Sequence, residues 1–154
     1  MAEQKRFIVV ELPDFRWPKS LQLPRRFRLF VAADSHDICT DAVSEFVIAV
    51  LQQGAVYCCA WGPGCERFHD IIDEVVIADC VRERKFVGPS PSDVIMTTWH
   101  SDESLQEALD FFTTSALPTE GFIADSNFLV VACIGNPEWA VTASRVLEVA
   151  WVSE

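Results

Sequence analysis

The chain lacks the features that most readily place a protein. It has no apolar run near the roughly 20 residues of a membrane helix, and its opening Met1-Ala2-Glu3-Gln4-Lys5-Arg6 lacks the apolar segment of a signal peptide. Neither membrane insertion nor secretion is expected. Basic charge is scarce, with 12 Lys and Arg against 23 Asp and Glu and a formal net charge of −11 at pH 7. Such a balance gives no sequence-independent grip on phosphate backbones or anionic lipid, so neither nucleic acid nor a membrane is expected as a partner. Internal repeats, low-complexity tracts, C-x-x-C, H-E-x-x-H, Walker and G-x-G-x-x-G motifs are all missing. Disulfide spacing is missing as well. Cys39, Cys58, Cys59, Cys65, Cys80 and Cys133 lie mostly inside apolar runs, which predicts free thiols in a reducing, cytoplasmic compartment.

What is present is the composition of one globular domain. In 154 residues, 50% are hydrophobic and 23% charged, enough apolar material for a core without disulfides or metals. The charge is unevenly placed. Residues 1–30 hold seven basic side chains (Lys5, Arg6, Arg16, Lys19, Arg25, Arg26, Arg28) against three acidic ones (Glu3, Glu11, Asp14), a balance of +4, which leaves −15 on the remainder. Residues 1–26 read as a basic extended arm and 27–154 as a single α/β domain. Phe7, Ile8, Val9, Val10 and Leu12 have the pattern of an edge strand that docks on the body, while Pro13, Pro18 and Pro24 forbid a helix through the rest of the arm.

From Phe27 onward, apolar strands alternate with helical patterns. Phe27–Ala33 reads as a buried strand ending in Asp34-Ser35-His36-Asp37, a turn rich in helix N-cap types, and a helix then runs to about Gln53. Ala55–Trp61 is a second strand. Gly62-Pro63-Gly64 turns into a helix whose Phe68, Ile71, Ile72, Val75 and Val76 share one face, with Val75–Ala78 open to a strand reading. Val94–Trp99 is a third strand, and Ser101 is expected to cap the helix after it, with Asp102 and Glu103 in the first turn. The irregular stretch from Thr113 to Asn127 has the length of a lid or binding loop, and Phe128–Ile134 and a helix opening at Pro137 complete the chain. The pattern predicts a three-layer, doubly wound, mostly parallel sheet of flavodoxin-like or Rossmann-like type. By default for such folds, the four strands counted from Phe27 would lie in the order 2-1-3-4.

In open sheets of this kind ligands bind beyond the carboxyl ends of the strands. Here those ends deliver Asp34 and His36, then Trp61, Gly62, Gly64, Cys65, Glu66 and His69, then Trp99 and His100. Cys65 and His69 stand at i, i+4, a spacing two ligands of one tetrahedral ion can use. No further metal signature supports them, Cys58 and Cys59 point to opposite faces of their strand, and no metal or cofactor is expected. Cys65 near a helix N-terminus would be an activated nucleophile with His100 or His36 as base, although Glu66 in the same turn disfavours the thiolate. Asp34 with Glu66 or Asp102 would make an acid–base pair, yet helix capping alone accounts for carboxylates at these junctions. Gly62-Pro63-Gly64 precedes a helix as anion-binding turns do, but Pro63 removes a donor and Glu66 repels the anion. Trp61 and Trp99 would flank a planar ligand or simply pack under helices.

Trp61-Gly62-Pro63-Gly64-Cys65-Glu66, with Thr97-Thr98-Trp99-His100 and the acidic helix start after it, resembles a family of uncharacterised bacterial proteins known only as a domain of unknown function. The resemblance covers roughly residues 27–135; it implies a bacterial cytosolic protein and brings no activity with it. In strand–helix order the segment Ala33-Asp34-Ser35-His36-Asp37 resembles the start of a TIR-type domain; no catalytic glutamate is assigned, and the resemblance is one of fold only. Two functions are therefore open. One is a non-catalytic acidic binding or regulatory module with a protein partner; the other is a small-molecule hydrolase or transferase with its site at the carboxyl ends of the strands.

Overall fold

The computed structural model describes residues 6–83, 85, 86 and 88–152, so Lys5 of the basic arm lies outside the described residues. Five strands, β1 (Phe7–Leu12), β2 (Phe27–Ala32), β3 (Ala55–Trp61), β4 (Met96–His100) and β5 (Leu129–Ile134), form one all-parallel sheet in the order β1-β5-β2-β3-β4. The helices are α1 (Thr40–Gln53), α2 (Cys65–Arg82), α3 (Leu105–Thr114), the single turn α4 (Glu120–Ile123) and α5 (Pro137–Val152). Residues 75–81 are helical. The β-branched run belongs to α2 because Ile71 and Ile72 bury the same face one turn earlier, and tertiary packing overrides local strand propensity.

Counted from Phe27 the strand order is 4-1-2-3, in place of the default 2-1-3-4. Two crossovers, through α1 and α2, step outward from β2 to β3 to β4. The chain then returns through α3 and inserts β5 on the other side of β2, leaving β1 as the opposite edge. The sheet separates two cores. Leu29, Val31, Cys58 and Ala60 pack with Val43, Phe46, Val47, Phe68 and Ile72 of α1 and α2, under a cover of Phe15 and Trp17. Phe30, Tyr57, Cys59 and Val131 pack on the other face with Leu109 and Phe112 of α3 and Leu147 of α5. Burying one such large apolar side chain stabilises the fold by roughly 1.5–3 kcal/mol, so both layers contribute to holding the sheet between them.

Two helices start later than the sequence implies. Asp34 does not cap α1: its carboxylate accepts from the His36 amide at 3.2 Å, a local turn, and α1 begins only at Thr40. Ser101 does not cap α3 either. Asp102 takes φ 60°, which carries the chain through a tight turn, and Ser104 with Glu107 forms a reciprocal capping box three residues on.

The segment between α3 and β5 is fastened at several points. Buried Asp93, just ahead of β4, accepts from Gly121 N at 2.8 Å, Thr119 Oγ1 at 3.0 Å and Ser90 N at 3.1 Å. The Gly121 amide bond, with those of Thr119 and Ser90 and the charge of Arg26, holds its carboxyl below the usual carboxylate range. Arg28 adds bonds from Nε to Ser126 O and from Nη1 to Ala116 O, at 2.9 and 3.1 Å. Those ties restrain the backbone that a lid would have to move.

Candidate functional site

An open cleft of about 430 Å³ lies between the carboxyl ends of β3 and β4. Residues 61–66 form one wall and residues 100–103 the other. The first wall depends on two glycines. Gly62 has φ 108°, and a Cβ there would stand 2.1 Å from Ala33 O; Gly64 has φ 79°, and its Cβ would stand 2.7 Å from His36 N. Only glycine allows the β3–α2 turn to press this closely on the end of β2. Ser35, 1% exposed, locks the same contact by donating from Oγ to Gly64 O at 3.0 Å and from its amide to Pro63 O at 2.9 Å. Arg67 fixes the turn from α2, bonding Ser35 O at 2.9 Å, Ile38 O at 2.8 Å and Thr40 Oγ1 at 3.1 Å.

The second wall carries a buried histidine with a side-chain partner at each ring nitrogen. His100 is 7% exposed and packs on Phe111 at 4.7 Å between ring centroids. Its Nδ1 lies 2.7 Å from Glu103 Oε2 and its Nε2 lies 3.2 Å from Thr98 Oγ1. Thr98 Oγ1 in turn donates to Cys59 Sγ at 3.3 Å. The row exists because alternate strand residues share a face, which aligns Thr98 with His100, and because the turn after β4 brings Glu103 back over the ring. Burial pushes the Cys59 thiol up to about 12, the Cys133 thiol likewise to about 12, and the Cys58 thiol higher still. Burial also raises the Tyr57 phenol on the same face.

Trp61, Gly62, Gly64, Cys65, Glu66 and His100 therefore share one cleft, whereas Asp34, His36, His69 and Trp99 stand outside it. Trp61 spans the cleft mouth, donating from Nε1 to Glu103 O at 2.9 Å while standing edge-on to Trp139 of α5. Cys65 is buried under the first turn of α2 with Sγ 3.6 Å from Ser101 Oγ, and Glu66 is exposed. His36 is exposed with its ring 3.4 Å from Asp37, and Asp34 is exposed beside it. His69 and Trp99 lie on the α2 side of the sheet, their rings 4.5 Å apart, with Asp70 and Asp73 at 3.2 and 3.5 Å from the histidine nitrogens. The two tryptophans thus serve different layers. No group of three or more His, Cys, Asp or Glu side chains that could hold a metal ion occurs among the described residues.

Sequence reasoning missed Thr98, Ser101 and Glu103 as site members and Arg67 as the residue that fixes the β2 turn. A signal for the first and last of that row was available: Thr98, His100 and Glu103 stand at i, i+2 and i+5, a strand face followed by a returning turn. Arg67 gave none, because its partners, two backbone carbonyls and the Thr40 hydroxyl, lie 27 to 32 residues away in sequence.

Fold and cleft together define the class: an all-parallel α/β domain with helices on both faces and a polar cleft at the carboxyl end of one outer strand pair. Within that class, residues 7–149 match the family described as Domain of unknown function (DUF7684), and the chain belongs to that family. No curated protein and no solved structure matches it. Among the described residues no helix is long and apolar enough to cross a membrane.

Proposed function

We propose that the chain is a non-catalytic binding or regulatory module of the bacterial cytoplasm that takes a protein partner. The observation that carries this reading is where the polar row of β4 ends. Glu103, His100 and Thr98 stand in the order an acid–base relay needs, but the row terminates on Cys59, which is fully buried and held protonated at neutral pH. A protonated thiol out of reach of solvent is not a nucleophile, and Thr98 lies beneath the cleft, not in its lining. Cys65, the other thiol here, lines the cleft but is buried, with Sγ against Ser101 Oγ. The acidic balance outside the first 30 residues suits a basic partner, and the six unpaired thiols suit a reducing compartment.

A second reading, a small-molecule hydrolase or transferase, is favoured by one feature: a cleft lined by a histidine whose ring is oriented by a carboxylate. The two readings separate in a thermal-shift screen against nucleotides, nucleosides, common metabolites and divalent metals. Wild type is compared with Glu66→Arg and Ser101→Tyr, exposed cleft positions whose replacement leaves the core intact. The binding-module reading expects no compound whose stabilising effect on wild type disappears in both variants. Discovery of such a compound, with turnover on incubation, would replace that reading with the enzyme.

A further inference from the structure

We propose that the free edge of β4 is a docking strand for an extended, basic segment of a partner protein, which adds to the sheet beside β4. This deepens the binding-module reading and rests on it. β4 is the last strand of the sheet, and among the described residues nothing pairs with its outer side. An outer strand presents a row of unsatisfied backbone donors and acceptors, which a further strand satisfies directly. Edge strands that avoid such pairing carry charges, prolines or bulges, and Met96-Thr97-Thr98-Trp99-His100 has no Asp, Glu, Lys, Arg or proline and keeps unbroken register with β3.

The surroundings of β4 supply the side-chain contacts that backbone pairing alone would lack. Trp99 is 43% exposed and Val94 42%. On α2, His69 meets Trp99 and Asp73 bonds Thr97, so the next residues of the same stripe, Ile77 and Val81, flank the start of β4. Both are well exposed, at 63% and 79%. Beside them Val76, Cys80, Phe86 and Ile95 line a groove of about 380 Å³, large enough for an apolar side chain. An added strand therefore finds hydrogen-bonding groups along its length and an apolar recess at one end.

Charge decides what kind of strand. Glu66, Asp70, Asp73 and Glu74 lie along the outer part of α2, and Asp102, Glu103, Glu107 and Asp110 follow β4 on the other side. Arg67, the basic residue among them, is directed at the β2 turn. At the groove end Lys85 is paired with Glu83, and Arg82 is the exposed basic residue in the last turn of α2, so the acidic flank is the part beside Trp99 and the end of β4. The flanks thus attract lysine and arginine and repel acidic segments. Pairing of two copies of this chain through β4 would bring both acidic flanks together, so the occupant is a basic segment of another protein.

The test uses the full chain with two blocked synthetic peptides, Lys-Val-Lys-Val-Lys-Val-Lys and its glutamate counterpart, at millimolar concentration. Backbone amide exchange is followed residue by residue. The basic peptide is expected to slow exchange at residues 94–100 at least about fivefold, and the acidic peptide to leave it unchanged. Ile77→Lys, at an exposed position, should remove most of that protection without moving the thermal midpoint. Absence of protection at 94–100, or equal protection by both peptides, overturns the proposal. Protection by the basic peptide at β1 or in the β3–β4 cleft alone removes the edge assignment and leaves the binding-module reading standing, whereas that reading fails separately through the metabolite screen. Concentration-dependent dimerisation of the chain alone, with the same amides protected, assigns the edge to a second copy and also overturns the proposal.

Discussion

The two outer strands of one sheet are finished differently. β1 pairs with β5 at six consecutive positions, α5 packs on it, and the chain leaving it folds back so that Phe15 and Trp17 lie nearly buried against Phe46. Trp17 Nε1 and the Leu21 carbonyl are both tied to the Gln53 side chain at the end of α1. The exposed residue of β1 is a charge, Glu11. β4 pairs at five positions and has α2 against it, while α3 packs mainly on α5, β2 and β3. Its exposed residues are Met96 and Trp99. Among the described residues neither outer side is paired; the β1 edge is guarded by a charge and continues into a packed segment, whereas the β4 edge is neutral.

The largest expected effect tests the β1 edge. Deletion of residues 1–12 removes the whole of β1 and strips the outer side of β5, a loss of about 4–6 kcal/mol that is comparable with the total stability of a domain. Circular dichroism should find little cooperative melting at room temperature and above. A melt close to that of the intact chain would mean that β5 alone can serve as the edge, and the contrast between the two strands would lose its energetic half.

The next effect falls where β4 begins. Asp93→Asn keeps the shape of the side chain but removes the charge that gathers Ser90, Thr119 and Gly121 around the entry to β4. Because folding lowers the pKa of Asp93, its contribution is present above the unfolded value of about 3.9 and is lost as pH falls through the lower folded value. Urea unfolding at neutral pH should therefore place the variant well below wild type, and the gap should close below about pH 4. A gap independent of pH would assign the loss to shape and not to charge.

At the other end of β4, His100→Ala removes a buried ring from Phe111 and leaves Thr98 and Glu103 without their partner. A cost of about 2 kcal/mol is expected, or a fall of roughly 4–8 °C in the midpoint for a chain of this size. A fall of under a degree would show that the histidine is not part of the packing, and would return it to the enzyme reading.

Much of this organisation was legible along the chain. Ala55–Trp61 coincides with β3 to the residue, because an apolar run bounded by Gly54 and Gly62 admits few other readings. The α/β class follows from the alternation of such runs with helical stripes. Helix starts were harder, since Asp34 and Ser101 have the chemistry of N-caps but satisfy neighbouring turns instead, and only the geometry at Asp102 pushes α3 on to Ser104. Strand order was not legible at all. The placement of β5 between β1 and β2 depends on contacts between residues about 100 apart, which no local pattern encodes. The cleft was half legible: the turn glycines, Cys65, Glu66 and His100 could be placed at strand ends, but a sheet separates Trp61 from Trp99, and strand ends alone do not say which layer a side chain serves.

The smallest effect comes from making the two edges alike. Met96 is 37% exposed on β4 and contributes little to either core, so Met96→Lys should change unfolding free energy by no more than about 0.5 kcal/mol. It places on β4 the kind of charge that Glu11 places on β1. A lysine projecting from an edge strand must be desolvated when another strand pairs there, which penalises association without touching the folded monomer. Light scattering during slow heating should then show the variant aggregating less than wild type at the same fraction unfolded, while the melting curves superimpose. A clear drop in stability would mean that Met96 is packed more tightly than its exposure implies. Superimposed melts with unchanged scattering would mean that the β4 edge already resists pairing, and the difference between the two edges would then be one of packing alone.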